Sequence, residues 1–107
     1  MKYLTRQEEM ILLAVYQLKE KAYLVTIRQH LMNITGKNWS VGAVYVPLNR
    51  LQKLGYLDTR IGEPNAKRGR NRIKYYYLTK KGVEALREIQ KLNEALWVSF
   101  PALASRI

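Results

Sequence analysis

Lys67, Arg68, Arg70, Arg72 and Lys74 put five cations into the eight residues from Lys67 to Lys74, around Gly69. Cations at that density pair well with the phosphate oxygens of a polyanion, and glycine at a loop tip lets backbone approach the ligand closely. A basic loop is often only a solvated tip. Here the whole chain argues for a ligand, because its 107 residues carry 19 Lys+Arg against 8 Asp+Glu, a net charge of +11. Such a field attracts nucleic acid or an anionic membrane surface.

Other chemistries find little support. Cysteine is absent and His30 is the single histidine, so neither a thiolate nor a paired-imidazole metal site can be built. The acids show no paired-carboxylate or metal-ligand spacing, and no GxxxxGK[ST] loop is present to cradle a nucleotide. No enzyme activity, metal or cofactor is expected. No stretch approaches the roughly 20 apolar residues needed to span a bilayer, and Met1 to Glu9 lacks the apolar core of a signal peptide. The expected location is the cytoplasm, at the nucleoid, with no membrane partner.

The cations must be held by neighbouring elements. Tyr56 to Ile61 and Ile73 to Leu78 both have strand character, and Gly62-Glu63-Pro64-Asn65 between them is turn chemistry. Leu57, Thr59 and Ile61 share one side of the first strand. In the second, Tyr76 is predicted on one face, with Tyr75 and Tyr77 on the other and at least one hydroxyl near phosphate. Directly ahead lies a helix with Ser40 as N-cap and Gly55 as stop, turning Val44, Leu48, Leu51 and Leu54 to a core. A basic hairpin behind a helix of this kind suggests a winged helix-turn-helix. The N-terminal part of such a helix enters the major groove, which makes Ser40, Val41, Gly42, Ala43, Tyr45 and Asn49 the candidate base-facing residues. Small side chains permit close approach but make few bidentate contacts. Modest readout is expected from them, with Asn49, the wing or DNA shape supplying the rest. Pro47 predicts a kink or a loosened first turn.

The preceding chain holds two more helices. Thr5 and Glu8 fit a capping box, and Ile11, Leu12, Val15, Tyr16 and Leu18 follow at helical spacing. Met10, Leu13 and Ala14 widen the apolar stripe. The helix is therefore either a central core helix or one whose outer side also packs on a second subunit. After an ordered connector at Ala22 to Val25, a helix from about Thr26 should turn Ile27, Leu31 and Ile34 inward and stop at Gly36, leaving His30 partly exposed.

Thr79 caps the last helix, with apolar positions at Val83, Leu86, Ile89, Leu92, Leu96 and Trp97. At about 20 residues it outreaches a three-helix core, so Leu92 to Phe100 need a further partner. A second copy of the chain is the simplest one. Leu92, Leu96, Trp97 and Phe100 are the candidate interface residues, and Pro101 should end the helix. The expected fold is mainly α (α+β): a DNA-binding unit over residues 1–78 with a two-stranded wing, then a dimerisation helix and tail over residues 79–107.

The ordered set Trp39-Ser40, Gly42, Tyr45, Arg50-Leu51, the basic segment Lys67 to Lys74, and Tyr76-Tyr77-Leu78-Thr79-Lys80-Lys81-Gly82 resembles the PadR-like transcriptional regulators. The likeness runs from about Leu12 to Leu96. It differs where many relatives carry proline immediately after the helix tyrosine, since Val46 intervenes here before Pro47. The resemblance implies ligand-responsive repression by a homodimer on a palindromic double-stranded DNA operator. The single C-terminal helix is similar to that of a small subgroup, some members of which bind flat aromatic compounds between subunits, which would place Trp97 beside a small aromatic effector. The alternative is a basic winged-helix module that binds RNA or associates with the ribosome, and that need not dimerise.

Overall fold

A computed structural model of the chain describes residues 4–62 and 72–101. Four helices, α1 (Arg6–Leu18), α2 (Leu24–Thr35), α3 (Val41–Lys53) and α4 (Lys80–Trp97), surround a two-stranded antiparallel sheet of β1 (Leu57–Ile61) and β2 (Lys74–Leu78). The pairing sets Thr59 opposite Tyr76, between Asp58–Tyr77 and Arg60–Tyr75. The core is one cluster built from Ile11, Leu12 and Val15 of α1, Ile27 and Leu31 of α2, Val44, Leu48 and Leu51 of α3, and Leu57 and Tyr76 of the sheet.

Local chemistry explains most element boundaries. The Thr5–Glu8 capping box is fully formed, with the Thr5 N–H donating to Glu8 and the Glu8 N–H to the Thr5 hydroxyl. Ser40 caps α3 by accepting the Ala43 N–H at 3.1 Å. At the other end of α3, Gly55 adopts a left-handed φ of 86°. Its N–H reaches the Gln52 carbonyl while the Tyr56 N–H reaches that of Leu51. That pair of bonds is a Schellman closure, which the sequence signals through the single glycine.

Four expectations need correction. Helix α2 starts at Leu24 rather than near Thr26, because the Thr26 side chain reaches back to accept the Tyr23 N–H and so caps the helix from its third position. Ala22 and Tyr23 stay extended and join the sheet, with the Tyr76 N–H donating to the Ala22 carbonyl at 2.9 Å. Ile34 is 61% exposed. The buried face of α2 turns toward Leu24, Leu31 and Thr35, whose hydroxyl receives the Trp39 indole N–H, and this leaves Ile34 on the outer edge. Leu54, placed on the core face by its spacing, is likewise exposed just past the end of α3. Finally, α4 stops at Trp97, before Pro101 is reached. Val98 is extended and Ser99 has φ 70°, so the chain turns back with Phe100 N–H on the Trp97 carbonyl.

Pro47 lies inside α3 without ending it. It lacks the N–H that would bond the Ala43 carbonyl, and that carbonyl sits in the exposed first turn, where water can serve it. Among the described residues no helix is long and apolar enough to cross a membrane.

Candidate nucleic-acid interface

Helix α3 is held on three sides. Val44, Leu48 and Leu51 are completely buried and fix one face. Arg50 crosses to α1 and pairs with Glu8, whose side chain is only 5% exposed against 40% for Arg50. On the sheet side, the Gln52 amide donates to Thr59. The Tyr76 pKa is raised first by burial and second by Tyr45.

The Arg50–Glu8 pair has a consequence for stability. The Glu8 carboxylate is buried and would keep only local partners if the guanidinium were removed. Arg50→Ala is expected to cost about 1–3 kcal/mol, the usual range for stranding a buried polar group. Thermal melts at fixed protein concentration check this; a melting point within a degree of wild type would show that the pair holds nothing in place.

At 100° per residue, the face opposite the core runs through Gly42, Val46, Asn49 and Lys53, flanked by Tyr45 and Ala43. The exposures agree: Val41 53%, Tyr45 47% and Val46 65%. A Cβ added at Gly42 would meet nothing within 4 Å, so the backbone at this position of the first turn faces open space. Of the sequence candidates, Val41, Gly42, Ala43 and Tyr45 are exposed, Asn49 is half-buried at the edge, and the Ser40 oxygen is engaged as a cap. The sequence reading missed Val46 and Lys53. Their signal is helical phase, since each follows Gly42 or Asn49 by four residues.

From the other side come Arg72, exposed, and Lys74, whose ammonium lies 5.5 Å from the centre of the Tyr76 ring. Arg60 stacks over Tyr77 at 5.0 Å, an aromatic support that keeps a guanidinium extended along the strand. Tyr76 is buried, while Tyr75 and Tyr77 are half-buried on the opposite face, as their alternation predicts. Lys67, Arg68 and Arg70 lie outside the described residues. The candidate residues thus comprise the outward stripe of α3 and cations carried on and beside the two strands.

A second surface lies between α1 and α4. Leu13 and Tyr16 of α1 face Val83, Leu86, Arg87 and Trp97 of α4 across an open groove of about 550 Å³. The inward stripe of α4 runs through Gly82, Leu86 and Ile89 and then continues past the core as Leu96 (70% exposed) and Trp97 (64%). Trp97 stacks edge-on with Phe100 at 5.0 Å. Leu92, at 40% exposure, lies beside this stripe.

Comparison with known proteins agrees with this arrangement. The chain is similar to H. salinarum RosR, with 20% identity over 92% of this chain and 81% of that one, at a TM-score of 0.70. It is also similar to a PadR family transcriptional regulator from Eggerthella lenta, at 25% identity, 85% and 77% coverage and a TM-score of 0.68. A PadR-like transcription factor from Bacteroides fragilis is 28% identical over 83% of this chain and 84% of that one, with a TM-score of 0.68. No curated protein sequence matches the chain. The sequence model of the transcriptional regulator PadR-like family matches residues 12–88, from the middle of α1 to the middle of α4. With four helices, a two-stranded wing base and that match over most of its length, the chain belongs to the PadR-like family of transcriptional regulators.

Proposed function

We propose that the protein is a homodimeric repressor that places one α3 in each of two major grooves of a palindromic operator and one wing on the flanking backbone. The observation that carries this reading is the outward stripe of α3. It is exposed at Gly42 and Val46, carries Asn49 at its edge and ends on the exposed Lys53, while Arg72 and Lys74 add cations at the base of the hairpin. Ser40, Val41, Gly42, Ala43, Tyr45 and Asn49 supply the groove-facing surface. Lys67, Arg68, Arg70, Arg72 and Lys74 supply affinity that does not depend on base sequence. The unit over residues 1–78 binds, and residues 79–107 pair two such units.

Leu92, Leu96, Trp97 and Phe100 form the dimer contact, with Leu13 and Tyr16 of α1 beside it. Leaving this much apolar surface in water is unfavourable, and a second copy of the same surface is self-complementary under twofold symmetry. The groove beneath it lies within the size range of small-molecule sites, which run from about 300 to 1,000 Å³. A flat aromatic effector that enters beside Trp97 would change the angle between subunits and so release the operator.

Titration of labelled duplex DNA at several salt concentrations tests the reading. Each phosphate contact contributes about 0.9 to the slope of log affinity against log salt. Arg72→Ala is expected to weaken binding to every sequence by a similar factor and to lower the slope by about 0.9 per subunit. An unchanged slope would remove Arg72 from the contact set. Stronger competition by structured RNA than by duplex DNA would overturn the DNA reading itself.

A further inference from the structure

The proposed interface contains a residue whose chemistry is out of place on a solvated helix. Val46 is 65% exposed and lies at the centre of the outward stripe, one turn after Gly42, one turn before Asn49 and two turns before Lys53. Single exposed apolar residues are ordinary. Here Val46 has exposed apolar neighbours on the same helix, Val41 and Tyr45, in a chain of net charge +11. A β-branched side chain gives the helix nothing locally, since it is slightly worse than its unbranched alternatives.

We infer that Val46 reads the C5-methyl group of a thymine in each half-site, an inference that rests on the DNA-binding reading above. In the major groove the thymine methyl is the one apolar group that the base edges present, and it distinguishes T from C, which otherwise offers a donor in place of an acceptor. Gly42 eases the approach, because the residue one turn ahead of Val46 on the same face has no side chain and its surroundings are open. Asn49, one turn on and on the same face, carries an amide of the kind that pairs with adenine N6 and N7. Arg50 and Lys53 lie with Val46 and Asn49 around one shallow depression, and their positive charge suits a phosphate-walled groove better than an apolar protein surface. The recognition helix therefore favours a half-site with a thymine under Val46.

The test begins with a duplex chosen by the full-length protein from random DNA. Each thymine is then replaced in turn by deoxyuridine, which removes only the methyl group. One position per half-site is expected to lose affinity by roughly fourfold, the value of one buried methyl, and roughly sixteenfold when both half-sites are changed. Val46→Ser, similar to valine in helix propensity, should bind the thymine and deoxyuridine duplexes equally, while its salt slope and melting point stay at wild-type values. If deoxyuridine is silent at every position in the wild type, or if the loss persists in Val46→Ser, the inference is overturned and DNA binding stands. Weakened self-association of Val46→Ser would overturn it in favour of a contact between copies. Failure to select any duplex would overturn both readings together.

Discussion

Leu96→Asp combined with Trp97→Asp is expected to yield a folded monomer that has lost at least about a hundredfold in operator affinity. Both side chains project past the core, at 70% and 64% exposure, so a carboxylate at either position meets water in the isolated chain and leaves the cluster around Ile11, Leu48 and Leu51 untouched. In a dimer the same carboxylates would face their symmetry mates across a dry contact, where burying unpaired like charges costs several kcal/mol. A monomer binds one half-site only. It forfeits the intramolecular second contact, which commonly contributes factors of 10² to 10⁴ to affinity. Sedimentation gives the oligomeric state and titration of labelled operator gives the affinity. A variant that still sediments as a dimer, or a monomer that binds the operator like wild type, would disprove the α4 contact.

The parts of this molecule that could be read from sequence are those fixed by local chemistry. Thr5, Ser40 and Thr79 cap the helices they precede, Gly36 and Gly55 take left-handed conformations where helices end, and Tyr76 alternates inward as a strand residue must. The misses arise from packing between distant segments. Glu8 is legible as one half of a capping box, but its second role, as the partner of Arg50, spans 42 residues and has no local signal. Ile34 has the spacing of a core residue and is exposed, because Trp39 draws the face of α2 toward Thr35. Val46 stands beside Pro47, and its place on the outward stripe depends on α3 staying helical through that proline, which local rules disfavour. The end of α4 moved from Pro101 back to Trp97 because the turn at Val98 to Phe100 closes on the Trp97 carbonyl first.

Gly82→Ala shows the same dependence on long-range packing and is expected to destabilise the protein by about 2 kcal/mol, although helix propensity alone favours alanine by about 1 kcal/mol. A Cβ at position 82 would lie 2.4 Å from the Tyr56 carbonyl oxygen and 2.8 Å from a methyl of Leu78, and backbone cannot move aside cheaply. The crowding is built by the joint between α3 and α4. Thr79 donates its hydroxyl to the Gly55 carbonyl at 2.7 Å and its N–H to that of Tyr56, while Lys81 reaches the Leu54 carbonyl at 2.7 Å and lies over the Tyr56 ring. Gly82 closes this joint by letting the first turn of α4 rest directly on the chain that leaves α3. Widening it would lower the melting temperature by about 10 °C. It would also tilt α4, which in the proposed dimer sets the distance between the two recognition helices, so operator affinity should fall more than affinity for random duplex. Gly42→Ala is the internal control for propensity, since its Cβ meets nothing and the substitution should stabilise α3 by up to about 1 kcal/mol. If the two alanine variants melt alike, the joint is not what positions α4.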